Sequence, residues 1–285
     1  MNAFPHLFRR FFDFFLFSSI YIAVCAIVMV AQANDLLDLE YNRQAYMLFV
    51  FFSTLCSYNF HWRFTPASDS EMIRLKWMQR HKRMQSFMIA VGLAGAAWFS
   101  IYFIKSWAWF AFSIALTFLY SAPKLPYRLF RSLKKIAVGK TIFLSFVWTY
   151  VTAALPILIA GGGWSMDRIL FVISRFFLIY AICIIFDNRD RDRDKQEGIR
   201  SMVTHFSEAN VKRLFQVSVV LFFISSCLLY FYAFTPATVI ALLIPGAIVW
   251  STYGVFAKNY SDYLYYFVLD GLMMLSALIT PLISF

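Results

Sequence analysis

Long apolar segments alternate with short polar ones along the whole of this sequence. Nine segments are apolar over about the length that a helix needs to cross a bilayer, and they lie at 14–33, 44–59, 84–104, 106–121, 138–160, 168–186, 213–233, 236–256 and 263–284. None of them shows the period-two alternation that a membrane β-strand requires. The pattern therefore predicts an all-α polytopic membrane protein, a bundle of nine transmembrane helices with residues 1–285 in a single domain.

The polar segments between the predicted helices differ in charge from one side of the bundle to the other. The N-terminal segment and the segments after even-numbered helices hold 22 of the 26 Lys and Arg residues, whereas the alternate segments hold only Arg43, Lys105 and Arg168. Because basic residues accumulate in cytoplasmic loops, we expect a cytoplasmic N-terminus and an external C-terminus in a bacterial-type inner or plasma membrane. No small-residue cleavage site follows the first apolar segment, so we predict that it is retained.

Composition agrees with the hydropathy pattern. The chain is 61% hydrophobic and 14% charged, which leaves too much apolar surface for a soluble domain. Its net charge of +11 would suit nucleic acid, but membrane orientation explains basic residues in short loops, and we expect no nucleic-acid partner. The four cysteines lie in apolar segments without a second Cys or a His at metal-ligand spacing, so we interpret them as buried small hydrophobic residues rather than as disulfides or a zinc site.

Carboxylates concentrate at the end of the sixth predicted helix. Asp187, Asp190 and Asp194 are three and then four residues apart, which places them within an arc of about 60° on a helix. Such like charges repel unless a cation lies between them, and hard oxygen ligands suit Mg²⁺, which completes its shell with water and phosphate. Alternating Asp and Arg also fit a solvated helix end with local ion pairs. The position at the end of an apolar helix favours the metal site, because the diphosphate head of a lipid-like molecule can bind there while the apolar tail of that molecule stays in lipid.

Polar and basic residues follow two other predicted helices on the same side. Lys124 and Arg128 come after the fourth helix, where they fit either a cationic clamp on phosphate oxygens or an orientation signal. Asn59 and Arg63 end the second helix as interfacial polar groups. The basic run at 74–83 fits either a segment on the membrane surface or a solvated orientation signal.

Two charged residues lie deep within apolar segments, away from their ends, Arg175 in the sixth and Asp270 in the ninth. Charges in lipid are costly and usually face the bundle interior, where they are paired or wetted. Asp270 lies in the cytoplasmic half of its helix, within reach of a substrate cavity. Arg175 lies nearer the outer side, so whether the two form a pair stays open.

Over essentially the whole chain, these features resemble the UbiA superfamily of intramembrane prenyltransferases. The second aspartate-rich motif of that family is Asp-x-x-Asp-x-x-x-Asp, followed by Gly and then Ser or Thr. Its positions are occupied here by Asp187, Asp190, Asp194, Gly198 and Ser201. The segment Tyr120-Ser121-x-Pro123-Lys124 is similar to the family's basic diphosphate-contacting loop, and Asp270-Gly271 is similar to the Asp-Gly near the start of its last helix.

The first aspartate-rich motif departs from the family pattern, which is Asn-Asp-x-x-Asp-x-x-x-Asp after the second helix. Asn59 is in place, but Phe60, Arg63 and Ala67 occupy the three acidic positions. One metal site is therefore expected to be absent. Arg63, together with His61, is the candidate for supplying positive charge directly to the phosphates.

The resemblance implies Mg²⁺-dependent transfer of a prenyl group from a prenyl diphosphate to a lipophilic acceptor, an aromatic ring or a hydroxyl, in a cavity that opens on the cytoplasmic side. Asp187, Asp190 and Asp194 would hold the metal, with Asp187 and Asp190 as catalytic residues. The expected substrate-binding residues are Asn59, Arg63, Tyr120, Lys124, Arg128 and Asp270. Two alternatives stay open. One is a non-catalytic member that binds an isoprenoid lipid or a partner protein, and the other is a small-molecule transporter.

Overall fold

The computed structural model describes residues 3–65, 72–121, 140–196, 201–232, 234–256 and 259–283, and in these residues it contains helices and no strand. In chain order, the α-helices are α1 (Ala3–Phe17), α2 (Ile20–Leu36), α3 (Arg43–Arg63), α4 (Ile73–Arg80), α5 (Lys82–Ser100), α6 (Trp107–Ser121), α7 (Lys140–Thr149), α8 (Leu155–Ala160), α9 (Met166–Gln196), α10 (Met202–His205), α11 (Glu208–Leu228), α12 (Pro236–Phe256) and α13 (Asp270–Ile283). The all-α prediction is confirmed.

Six helical stretches of the described chain are long and apolar enough to cross a membrane. They are Lys82–Tyr120, Lys140–Ala160, Met166–Asp192, Glu208–Phe231, Pro236–Phe256 and Leu264–Ile283. The pair α1 and α2, bent by 57° at a break near Ser19, adds a seventh candidate if both count as one span. The count of nine stays a prediction, since it also requires α3 to span and Lys82–Tyr120 to cross twice.

Aromatic contacts show that the chain reverses within Lys82–Tyr120. Phe103, whose backbone is not helical, packs on Tyr46 near the start of α3 at a ring distance of 5.8 Å. At the other end of α3, His61 stacks on Tyr120 at 5.2 Å. The helix α5 therefore runs antiparallel to α3, and α6 runs back in the same direction as α3. The turn lies in the 3₁₀ segment Ile101–Ser106, where the sequence pattern separates its third and fourth helices.

Two π-helical segments interrupt the bundle, and in each a tyrosine from another helix caps a backbone carbonyl. In Tyr150–Ala154, the Val151 carbonyl accepts a hydrogen bond of 2.7 Å from Tyr46. In Leu264–Leu269, the Phe267 carbonyl accepts one of 2.7 Å from Tyr21. Irregular backbone at membrane depth needs such partners, because lipid offers none.

The long helix α9 forms the centre of the core. Every residue from 178 to 185 is buried in it, so this stretch is apolar on all faces, as a helix enclosed by other helices should be. Beyond Phe186 the helix continues for ten residues of almost entirely polar sequence, to Gln196. All four cysteines are free; Cys25 and Cys183 are buried, as expected, whereas Cys227 is exposed.

Candidate active site

The polar end of α9 carries two carboxylates that converge on one lysine. Asp187 and Asp194 lie seven residues apart, which is about two helical turns and therefore one face. Lys140, the first residue of α7, places its Nζ 3.3 Å from Asp187 Oδ1 and 3.1 Å from Asp194 Oδ2. The Thr141 hydroxyl donates a hydrogen bond to Asp187 Oδ2. The result is an acid pair around a single cation at the end of an apolar helix.

The third predicted metal ligand, Asp190, has a different partner. Its Oδ1 accepts a hydrogen bond of 3.0 Å from Arg189 Nε, and its side chain is 15% exposed. In the described part of the chain, no three Asp, Glu, His or Cys side chains lie close enough together to hold a metal ion. The predicted trio is thus arranged as an acid pair with a separate acid beside it.

The acid pair fits a divalent cation by its donor chemistry. Mg²⁺ often takes only one or two protein carboxylates, and Asp187 and Asp194 already direct an oxygen each toward one cationic nitrogen. These two residues would hold the ion. Burial raises the pKa of Asp194, and the charge of Lys140 opposes that rise. A cation beside the pair therefore favours the ionised form that a metal ligand needs.

A second charged cluster lies beside the first and includes two arginines whose side chains are buried. Arg189 Nη1 is 3.7 Å from Asp262 Oδ1, and its Nη2 donates a hydrogen bond of 2.9 Å to the Tyr266 hydroxyl. The backbone N–H of Arg74 donates to Asp262 Oδ2 at 2.8 Å. The Arg74 guanidinium lies over the rings of Tyr266 and Trp62, 4.3 and 4.5 Å from their centroids. Desolvation lowers the pKa of Arg74, which is only 2% exposed.

Asp270 is buried close to this second cluster. It begins α13 directly after the π-helical segment and is 8% exposed. It follows Tyr266, which accepts a hydrogen bond from Arg189, by four residues, about one helical turn. The helix α13 therefore contributes an acid at the end of the bundle where the polar end of α9 lies.

The structure gives Asn59 and Arg63 different surroundings, although both belong to the degenerate first motif. Asn59 is fully buried, and its Nδ2 donates to the carbonyls of Ser18 and Leu55 at 2.9 and 2.8 Å. It therefore ties α3 to the break between α1 and α2. Arg63, the last residue of α3, is half-buried. Among the described residues, no hydrogen bond or ion pair joins Arg63 to the aspartates of α9.

Tyr120 lies at the same end of the bundle, in the last turn of α6, where its ring stacks on His61. Other predicted positions lie outside the described residues, namely Ala67, Pro123, Lys124, Arg128 and Gly198. Ser201 is described and buried, and its hydroxyl accepts the Thr204 N–H as the N-cap of α10. Ser201 thus has a structural role in this fold.

Arg175 lies away from the acid pair and is not bonded to Asp270. It is 3% exposed, and its Nη1 donates a hydrogen bond of 2.9 Å to the Ser276 hydroxyl. Ser276 in turn donates to Gln32, which donates to Thr280, at 3.1 Å each. This polar chain links α2, α9 and α13 within the bundle.

Sequence reasoning did not identify Lys140, Arg189, Arg74 or Asp262 as site residues. The sequence pattern identifies Lys140 only as one of the basic residues near the start of the fifth predicted helix, and its position in the first turn of an apolar helix is the available signal. Both interpretations of the segment at 74–83 leave Arg74 accessible, yet the structure buries it. Its partners come from positions far along the chain, so local spacing could not reveal them.

Comparison with known proteins relates the chain to a family and to one fold. A model of the UbiA prenyltransferase family matches residues 78–268. The chain is also similar to a solved structure that is described in terms of digeranylgeranylglyceryl phosphate synthase in membranes. The match covers 96% of this chain and 98% of that chain, with 15% sequence identity and a TM-score of 0.57. At that identity the likeness concerns the fold alone. No curated protein matches the sequence.

Proposed function

The chain belongs to the UbiA prenyltransferase family, and from this premise we propose that it transfers a prenyl group, with the help of Mg²⁺, from a prenyl diphosphate to an aromatic or hydroxyl acceptor in the membrane. One observation carries the proposal. Two buried carboxylates, Asp187 and Asp194, converge on a cationic nitrogen where an apolar core helix becomes polar. That position suits a ligand with an ionic head and an apolar tail.

In this reaction the C–O bond of the prenyl diphosphate breaks, and diphosphate leaves with the electron pair. The allylic cation is captured by the acceptor, which forms the new bond and loses a proton. Bound Mg²⁺ would neutralise charge on the departing diphosphate. Asp187 and Asp194 would fix the position of the ion, and the Thr141 hydroxyl would orient Asp187. Lys124 and Arg128 stay proposed contacts for the diphosphate.

Arg63 stays a proposed supplier of positive charge to the phosphates, and Arg189 and Arg74 add cationic groups close to the same end of α9. Tyr120, Asn59 and Asp270 would shape the cavity from α6, α3 and α13. The apolar bundle around the site would exclude water, which would otherwise capture the cation.

Removing one carboxylate of the acid pair tests the proposal. We expect Asp187→Asn and Asp194→Asn each to slow transfer from a labelled prenyl diphosphate by about 100-fold, because charge held for the transition state is lost. Asp190→Ala tests the separate acid. Asp192→Asn is the matched control: it removes one charge from the same helix, but Asp192 is exposed.

The measurement is product formation by purified protein in lipid nanodiscs with a panel of aromatic and hydroxyl acceptors, with Mg²⁺ and after chelation. Wild-type activity that survives chelation would contradict the metal requirement. Equal activity of Asp187→Asn, Asp194→Asn and wild type would contradict the site.

A second candidate function follows from the degenerate first motif. With Phe60, Arg63 and Ala67 in the acidic positions and Asp190 bonded to Arg189, the chain would bind an isoprenoid lipid or a partner protein without turnover. Prenyl diphosphate binding with no diphosphate release, over the whole acceptor panel, would favour this function.

A further inference from the structure

The ammonium of Lys140 lies between the carboxylates of Asp187 and Asp194, the two residues that would hold a metal ion. Its Nζ contacts one oxygen of each carboxylate, at 3.3 and 3.1 Å. The carboxylates are largely shielded, with side-chain exposures of 9% and 2%, whereas the lysine side chain is 24% exposed. The acids are therefore shielded from solvent, whereas the cation between them has access to it.

Among the described residues, each acid of the predicted trio has a cation beside it. Lys140 offsets part of the charge of the acid pair, and Arg189 offsets the charge of Asp190. An ion that approached the pair would meet the ammonium of Lys140 at close range, where like charges repel strongly in a shielded site. Binding of a metal ion to both carboxylates would therefore be easier once the lysine had withdrawn.

The lysine side chain is suited to such a movement. Its four-carbon stem is flexible and its ammonium is a compact charge without a fixed hydrogen-bond geometry. A diphosphate at the site would offer it new oxygen partners. The ammonium would then exchange carboxylate for phosphate contacts, and the vacated position would accept the ion.

We propose that Lys140 is the resident counter-ion of the acid pair and couples the binding of metal to the binding of diphosphate. This inference rests on the proposed function, since it takes diphosphate as the ligand that draws the lysine away. Two consequences follow. Metal alone binds weakly to the wild-type protein, and diphosphate strengthens metal binding through a favourable coupling between the two ligands.

The test measures metal binding and needs no turnover. Mn²⁺, as a paramagnetic probe for Mg²⁺, is titrated into the detergent-solubilised full chain and followed by electron paramagnetic resonance, with and without inorganic diphosphate. We expect Lys140→Met to bind Mn²⁺ alone about tenfold more tightly than wild type, and diphosphate to improve its affinity less. Asp194→Asn added to Lys140→Met should abolish the gain, which would locate it at the acid pair.

Two further variants serve as controls. Lys195→Met removes the same charge from an exposed position on α9 and should bind Mn²⁺ like wild type. Lys140→Arg keeps a cation at the acid pair and should also bind Mn²⁺ about as tightly as wild type. This variant tests the proposal even if Lys140→Met does not fold. A tenfold gain in Mn²⁺ affinity, although the positive charge is retained, would contradict the proposal. Equal or weaker Mn²⁺ binding by folded Lys140→Met would overturn it.

The outcome also separates this inference from the proposed function. If Lys140→Met binds Mn²⁺ tightly but the wild-type protein transfers no prenyl group to any acceptor, the role of Lys140 stands and the transferase proposal fails. If prenyl transfer requires Mg²⁺ but Lys140→Met shows no gain in Mn²⁺ affinity, the transferase proposal stands and the role of Lys140 fails.

Discussion

At the scale of single residues, Tyr21 links an irregular backbone to the site. Its hydroxyl donates to the Phe267 carbonyl at 2.7 Å, inside the π-helical segment that precedes Asp270. A Cβ added at Gly271 would overlap that hydroxyl, so the glycine leaves room for it. The family-like pair Asp270-Gly271 thus has a packing reason for its second member in this chain.

Removing the Tyr21 hydroxyl should loosen this segment. We expect Tyr21→Phe to lower the free energy of unfolding by about 1 kcal/mol, because a carbonyl in the bundle loses its hydrogen bond. Thermal unfolding in detergent, followed by the change in circular dichroism, gives the measurement. Tyr230→Phe is the control, since that side chain is 54% exposed and its hydroxyl should not contribute. A Tyr21→Phe protein as stable as wild type would show that the carbonyl finds another partner.

At the scale of helices, α3 and α5 approach each other closely through small residues. A Cβ at Gly92 would lie 2.7 Å from the backbone nitrogen of Cys56 and 2.8 Å from the Phe52 carbonyl oxygen. A Cβ at Gly95 would fall against the Phe52 ring. Glycines at such contacts let membrane helices pack backbone to backbone. The close contact fixes α3, which carries Asn59 less than one turn beyond Cys56.

A methyl group at this crossing should force the two helices apart. We expect Gly92→Ala to destabilise the protein by about 1–3 kcal/mol, because the atoms in its way are largely backbone and cannot swing aside. Gly254→Ala in α12 is the matched control. Nothing lies within 4 Å of the added Cβ there, so its better helix propensity should make it neutral or stabilising.

Unfolding midpoints in detergent for the two variants provide the comparison. Loss of stability in both, or in neither, would contradict the close α3–α5 contact.

At the scale of the whole molecule, local sequence pattern predicts helices well and their partners poorly. The ninth apolar segment, 263–284, nearly coincides with the helical stretch Leu264–Ile283. The spacing of the aspartates correctly places Asp187 and Asp194 on one face of α9. The pairing of Lys140 with Asp194 joins residues 54 positions apart, and the Arg74 guanidinium lies between rings from α3 and from the π-helical segment before α13. Such contacts are set by packing, which the period of apolar residues does not encode.

The count of membrane crossings depends most on α3, and this gives the last prediction. Its 21 residues would extend about 32 Å, enough for a bilayer, but it is not among the helices that are apolar enough to cross. The polar side chains of α3 lower its mean hydropathy, but they do not have to face lipid. Asn59 is fully buried, and the Ser53 hydroxyl donates to the Phe49 carbonyl of its own helix. We therefore expect α3 to span.

Glu40 precedes α3 in the sequence and Arg80 follows it, and both are exposed. Chemical labelling at these two positions therefore tests whether α3 crosses the membrane. In a cysteine-free background, a membrane-impermeant maleimide should modify Glu40→Cys in intact cells, and Arg80→Cys only after permeabilisation, because basic segments stay in the cytoplasm. The reverse pattern would invert the predicted orientation but keep α3 as a span. Modification of both from one side would remove α3 from the spans, and the predicted count of nine with it.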